Sequence, residues 1–528
     1  GVEDAARAYF GKSAKELTLA ESALFAAILP APSAYSPLSG NEEIAFKRKG
    51  LVLRQMQSLG YITQEQSAFA LQQDIEFDPQ PDDINVKAPH FALFVKDELI
   101  KEYGEQRIAQ SGFTVKTTLD LEFQEYAETT VSNQVNRLTR NKATNGAAIG
   151  IDPKTGQILI LVGSHDWENE ENGKINMALS PRQPGSSFKP IVYAKAIQDR
   201  DLTASTELED KAVTFPDGYK PRNYDNKFRG EVLTRFALAN SLNIPALHVM
   251  ERVGVKRTID FAEDLGITSL KSPKDYGLSL ALGAAEVPLL EMTEAFGTFA
   301  NSGKRIRPTT ILEIKDKRGK VIYTQKVDDK SVMDENVAYI ISSILSDNQA
   351  RQEVFGNSLT ISRPAAVKTG TTNDYKDALT IGYTPSLVVG VWVGNNDNTP
   401  MDSVAGSSGA APIWRLIMER ILRGTPIEQF RQPSGVIKVA VCKEDGFRSV
   451  VATSSAYPEF FLNGTTPKRT CNELPPTTQP DPTTTPEPTK EEEKDPTPTP
   501  QPQATSTPAP TQAVSTPTPT PIVIEIQP

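Results

Sequence analysis

Arg182-Gln183-Pro184-Gly185-Ser186-Ser187-Phe188-Lys189-Pro190 is the stretch on which the reading of this chain turns. Pro184 and Gly185 predict a turn that delivers Ser186 to the N-terminal end of a helix. Residues three apart share a helix face with Cβ atoms about 5–6 Å apart, so Lys189 is placed to reach the Ser186 hydroxyl. The partial positive charge of a helix N-terminus opposes ammonium formation and favours negative charge on the serine oxygen. A serine becomes a nucleophile beside a base, and a desolvated lysine can be that base. Ser186–Lys189 is the only Ser-x-x-Lys in the chain.

Two further motifs lie downstream. Ser241-Leu242-Asn243 sets a hydroxyl and a carboxamide two residues apart, after a helix-forming run and before Pro245. Lys368-Thr369-Gly370-Thr371-Thr372 falls within the apolar strand pattern 365–371. A lysine and hydroxyls on one face of an edge strand can hold a carboxylate, and Gly370 is expected to let a substrate backbone approach.

Around these motifs the chain divides by composition. Its 528 residues suggest two to four domains. Sixteen of the 40 prolines lie in the last 55 residues, 474–528, with seven acids against two lysines. Such a tail buries too little apolar surface to offset chain entropy and is expected to be disordered. Of the net charge of −10 the tail holds −5, so the other 473 residues hold −5, a mildly acidic body that argues against a nucleic-acid partner, which would want a basic face. Three scattered histidines, 90, 165 and 248, exclude histidine triads and zinc sites, and no metal or cofactor is expected. No apolar run reaches 18 residues, so no membrane span is predicted.

The beginning of the chain is helical. Thr18–Glu21 and Thr63–Gln66 read as capping boxes, with an amphipathic helix from about Ala45 to Gly60 between them. A linker region, 74–116, carries a helix around Phe91–Tyr103. Thr117–Asp120 is expected to lead a long helix to about Thr139. Ala147–Ile151 and Ile158–Val162 predict a hairpin. Helices follow at Ser187–Gln198, Thr234–Val249, Thr258–Leu265 and Leu289–Asn301. Strands follow at Arg307–Lys315, Val321–Gln325, Val367–Thr371, Ala378–Tyr383 and Leu387–Val393. Helices interleaved with antiparallel strands imply an α+β layer fold. Cys442 and Cys471, alone in the chain, fit one disulfide in an oxidising compartment, and a bridge over that loop adds roughly 3 kcal/mol. Trp392 and Trp414 read as core aromatics.

Ser-x-x-Lys, Ser-x-Asn and Lys-Thr-Gly, in that order, resemble the class A penicillin-binding proteins. The flanking strings Arg182–Pro190 and Lys368–Asp374 extend the resemblance, which covers the chain to about Asn472. It implies a serine β-lactamase/transpeptidase-like domain, a central antiparallel sheet with flanking helices, at 117–425. A small β-rich segment would follow at 426–473, and a helical glycosyltransferase remnant would precede at 1–73. Tyr9–Lys12, Leu17–Glu21 and Pro30–Pro37 resemble that domain's closing motif. The family's catalytic glutamates and membrane anchor would lie before Gly1, so this chain is not expected to polymerise glycan, and Glu21 reads as a capping residue.

The resemblance also implies roles. Ser186 would attack the penultimate D-Ala carbonyl of a peptidoglycan stem peptide, and Lys189 would take its proton. Ser241 would relay a proton to the leaving amine, and Asn243 would orient the acyl amide. Lys368, Thr369 and Thr371 would hold the donor carboxylate, beside Gly370. Backbone N–H groups of Ser186 and Thr371 would form an oxyanion hole. β-Lactams would acylate Ser186. Localisation would be the extracytoplasmic face of the bacterial membrane. A D,D-carboxypeptidase differs only in using water for deacylation. The competing readings are a β-lactamase-type hydrolase and a non-catalytic β-lactam sensor or wall scaffold. Lys154–Gly156 also spells Lys-Thr-Gly but reads as a hairpin turn, and Ser346–Asn348 as a helix end. Arg222 and Tyr224 read equally as cleft lining or as structural loop.

Overall fold

The computed structural model describes residues 1–471, apart from 39, 79–85, 216, 217, 219 and 451–454, together with the strand 521–525. The chain forms two compact units, Gly1–Ala92 with Leu99–Gly112, and Leu93–Glu98 with Phe113–Glu525. The expected linker region, 74–116, falls partly in each.

The first unit is helical. Thr18 caps Leu19–Ile28 and Thr63 caps Gln64–Gln72, each as a reciprocal capping box. The basic amphipathic helix runs Glu42–Ser58. Glu21 accepts from the Thr18 N–H and from Lys12 at 2.8 Å, so its carboxylate is spent on the helix end. Phe10, Leu24, Phe25 and Ile28 form a core with Tyr9 and Phe77 packed on it.

The second unit is built on a five-stranded antiparallel sheet. In spatial order it runs Ala366–Thr371, Asp377–Thr384, Leu387–Gly394, Asn145–Ile151, Ile158–Val162. Alternation along Leu387–Gly394 shows why its residues are nearly all apolar, because both faces are covered. Val389, Val391 and Val393 point into a cluster with Val131 of Leu121–Arg137 and with Trp414 and Ile417 of Ala410–Ile421. Gly390, on the other face, sits against Leu289 and Thr293 of Leu289–Ala300. Tyr383 shares that second face, stacking edge-on with Phe296 and bonding Ser342 at 2.9 Å. Trp392 and Trp414 are both buried. Among the described residues no helix is long and apolar enough to cross a membrane.

Three expectations need correction. Residues Thr114–Asp120 form a strand, not a helix start, because Ile311–Lys315 supplies a ladder partner far along the chain; Asp120 then caps Leu121–Arg137. The nucleophile helix starts at Lys189, preceded by a 3₁₀ turn, Gly185–Phe188. Thr234–Val249 is not one helix but two, Thr234–Ala239 and Asn243–Val253, broken where Ser241 takes φ +60°. The expected disordered tail lies outside the described residues except Pro521–Glu525, which pairs antiparallel with Thr114–Asp120.

A hairpin of Val436–Cys442 and Ala456–Leu462 closes the described body, with Cys442 bonded to Cys471. One buried ion pair ties it to the sheet domain. Arg235 donates to both oxygens of Glu459, at 2.7 and 2.6 Å, and reaches Asp347 at 3.2 Å. Phe236–Tyr457 and Tyr339–Phe460 flank it as edge-on aromatic pairs. Arg235→Ala is therefore expected to destabilise by about 3–5 kcal/mol, since it strands a carboxylate with no exposed surface. Urea unfolding would measure this, and Arg235→Ala/Glu459→Ala should recover part of the loss.

Candidate active site

Three backbones meet where the chemistry-bearing residues gather. The 3₁₀ turn Gly185–Phe188 packs on the end of the edge strand Ala366–Thr371. Gly185 has φ +55°, and a Cβ there would lie 2.8 Å from the Thr371 carbonyl. A Cβ on Gly370 would lie 2.0 Å from the carbonyl of Pro184. Gly370 thus makes room for the nucleophile's own turn. The third backbone is the Ser241 turn. It holds a left-handed conformation that a non-glycine residue adopts at a cost of about 1–3 kcal/mol, strain of the kind that gathers at functional sites.

A cleft of about 450 Å³ opens over this junction, and Ser186, Ser241, Asn243, Thr369 and Thr371 line it. Lys189 and Lys368 lie beneath, 0% and 2% exposed. The Ser241 hydroxyl bridges them: Lys368 Nζ donates to it at 2.7 Å and Lys189 Nζ lies 3.4 Å away. Lys189 Nζ also donates to the Ser241 carbonyl at 2.5 Å and to Asn243 Oδ1 at 2.7 Å. The expected direct link from Lys189 to Ser186 is not made. The amine is drawn instead to acceptors contributed by a turn some fifty residues later, which the spacing within one helix could not reveal. A neutral amine has two N–H bonds and one lone pair. With both hydrogens committed to Ser241 O and Asn243 Oδ1, the lone pair remains for a proton from a hydroxyl.

Electrostatics favour that neutral form. Burial first, and the nearby Lys368 second, hold Lys189 well below the ordinary lysine value, with Asp210 opposing them. Burial brings Lys368 down to about 7. Two ammonium groups bridged by one hydroxyl cannot both keep a proton cheaply, so the pair is suited to share one charge at neutral pH.

The remaining sequence candidates fall where their local chemistry sends them. Thr371 Oγ1 accepts from the Gly406 N–H at 3.0 Å. Arg222 and Tyr224 line the cleft. Lys154 is on the surface, paired with Glu428 at 3.2 Å. Ser346 ends the helix Glu335–Leu345, and Asn348 accepts from Arg351. Among the described residues Cys442, Asp445 and Cys471 alone cluster as metal ligands would, and the two sulfurs are bonded to each other. Sequence reading missed Asn223 and Tyr375 in the cleft wall, and read Asp374 only as the end of the third motif string. Asp374 and Tyr375 both have positive φ, a conformation aspartate tolerates but that the tyrosine residue type does not announce.

Comparison with known proteins agrees with this geometry. The penicillin-binding protein transpeptidase domain matches residues 146–419, the transglycosylase family residues 1–57, and the penicillin-binding protein 1A C-terminal domain residues 432–476. Penicillin-binding protein 2D of Bacillus subtilis is 34% identical over 91% of this chain and 70% of its own length. Penicillin-binding protein 1A of Aquifex aeolicus is 29% identical over 90% of this chain and 76% of its own length. The structure of penicillin-binding protein 1A from Haemophilus influenzae shares the fold at TM-score 0.72, 24% identity, and 89% of both chains. PonA1 of Mycobacterium tuberculosis, solved with penicillin V, matches at TM-score 0.58 and 26% identity, over 66% of this chain and 97% of that one. With a transpeptidase match over half its length and a relative 34% identical over 91% of the chain and 70% of its own length, the chain belongs to the class A penicillin-binding proteins.

Proposed function

We propose that this chain is a peptidoglycan DD-transpeptidase working through an acyl-enzyme on Ser186. The observation that carries the reading is the convergence of all three motifs on one cleft, with two buried lysines bridged by Ser241 beneath it. In the proposed reaction Lys189 takes the Ser186 proton as Oγ bonds to the penultimate D-Ala carbonyl carbon. Backbone N–H groups of Ser186 and Thr371 receive the oxyanion, each such donor being worth about 3 kcal/mol in other enzymes. The C–N bond then breaks, Ser241 passes a proton to the departing D-Ala amine, and the acyl group stays on Ser186. An amine from a neighbouring stem peptide then attacks the ester carbonyl carbon and gives its proton to Lys189; the bond from that carbon to Ser186 Oγ breaks, Oγ takes the proton back, and the new amide leaves as the cross-linked product. Asn243 orients the acyl amide; Lys368, Thr369 and Thr371 hold the donor carboxylate.

The domain boundaries 1–73, 74–116, 117–425, 426–473 and 474–528 belong to this proposal. So do the stem-peptide substrate, β-lactams as inhibitors and a site of action on the outer face of the cytoplasmic membrane. The test is intact-mass analysis after incubation with penicillin, followed by a thioester donor with and without an acceptor amine. A one-to-one adduct lasting hours, and an amide product that grows with acceptor, are expected. Rapid release of penicilloate would replace the reading by a β-lactamase, hydrolysis alone by a carboxypeptidase, and no adduct at all would overturn it.

A further inference from the structure

The strand Glu207–Asp210 ends on a carboxylate that the reaction above leaves unused. Asp210 is fully buried, and among the described residues no lysine or arginine side chain pairs with it. Its partners are the Asn223 amide, which donates to both oxygens at 2.8 and 2.9 Å, and the Arg229 backbone N–H at 3.0 Å. The Arg229 guanidinium turns instead to Asp225 and Glu353. A carboxylate stripped of water with no ion pair is a costly arrangement. The hydrogen bonds continue from it in one direction. Asn223 Oδ1 accepts from the Asn243 N–H at 2.7 Å, and Asn243 Oδ1 accepts from Lys189 Nζ at 2.7 Å.

We propose that Asp210 is a positioning residue for the catalytic amine: through Asn223 and Asn243 it holds Lys189 at the Ser241 turn and supplies the buried negative charge that Lys189 faces. This rests on the reading of Lys189 as the base for Ser186. The groups around the amine have distinct origins. Lys368 comes from the edge strand, Ser241 and Asn243 from the turn, and Asp210 from its own short strand; Tyr193, one turn along the Lys189 helix, feels the same carboxylate. Of the charged groups, Lys368 weakens the hold of Lys189 on its proton and Asp210 strengthens it.

Removing the charge lowers the proton affinity of Lys189 further, so the acidic limb of the acylation pH profile moves to lower pH. For Asp210→Asn a downward move of about one pH unit is expected, with the plateau slowed about tenfold by the weaker, less fixed base. A residue that only supports the fold would lower the plateau and leave the limb in place. The exchange variant Asp210→Asn/Asn223→Asp keeps one carboxylate and brings it one hydrogen bond closer to Lys189, so its limb should move upward. The experiment measures penicillin acylation of the full chain by intact mass between pH 4 and 9, with circular dichroism as the folding control. Opposite limb shifts support the proposal, and unmoved limbs in both variants overturn it. Should Asp210→Asn not fold, the exchange variant decides alone by the same criterion. Absence of any adduct on the wild-type chain would instead refute the underlying acyl-enzyme reading, so the two failures are distinguishable.

Discussion

Ser186→Ala is expected to abolish the covalent penicillin adduct outright while leaving thermal unfolding and circular dichroism unchanged. The structural side of that expectation comes from what Ser186 does not do. Its hydroxyl lines the cleft and accepts or donates no hydrogen bond to the described residues, so its removal leaves no buried partner unsatisfied. The chemical side is that no other side chain can take its place. Ser187, the adjacent hydroxyl, is buried and donates to the Pro184 carbonyl at 2.7 Å, which ties it to the turn. Ser241 is engaged by Lys368 at 2.7 Å. Deleting a serine nucleophile in other enzymes costs about 10⁶ in turnover, and what survives is non-covalent stabilisation that leaves no mass adduct. Ser187→Ala is the control: it should keep the adduct and lose a little stability. An adduct persisting in Ser186→Ala would refute the assignment of the nucleophile.

How much of this was legible in the sequence depends on how far away each residue's partner lies. The capping boxes at Thr18 and Thr63 were readable because the donor and acceptor sit three residues apart. The core strands were readable because both faces of the sheet are covered, leaving continuous apolar runs such as Leu387–Gly394. Thr114–Asp120 was misread because its ladder partners lie around Ile311–Lys315, and no local pattern announces a pairing at that range. The break at Ser241 was missed for a related reason. A serine with positive φ is held there by two helices and by a lysine from each side, not by its own propensity. The motif residues themselves were found from their type and order. Their wiring was not, since Lys189 bonds to Ser241 and Asn243, and Gly370 makes room for Pro184. Asp210 and Asn223 carry no motif at all. Only the packing of a short strand under the cleft brings them into the chain of hydrogen bonds that reaches Lys189.

Lys189→Met is expected to slow penicillin acylation by about 10²–10⁴-fold, the usual contribution of a general base. Methionine matches the length and apolar body of a fully buried lysine, so the cavity stays filled. Two acceptors, Ser241 O and Asn243 Oδ1, lose their donor, at a cost of about 1–3 kcal/mol that partly offsets the relief of burying no amine. The pH profile separates the two lysines. Lys189, held well below the ordinary lysine value, gains its proton as pH falls, so wild-type acylation should drop on the acidic side. Lys368, at about 7, loses its charge as pH rises, and its hold on the ligand carboxylate weakens on the alkaline side. Lys189→Met should erase the acidic limb and keep the alkaline one, whereas Lys368→Met should raise the penicillin concentration needed for half-maximal labelling and keep the acidic limb. An acidic limb that survives in Lys189→Met would assign the base elsewhere, with the Ser241 hydroxyl bridging to Lys368 as the next candidate. The shared hydroxyl is what makes this outcome decidable. A single proton passed along Lys189, Ser241 and Lys368 leaves a different limb missing according to which amine is removed.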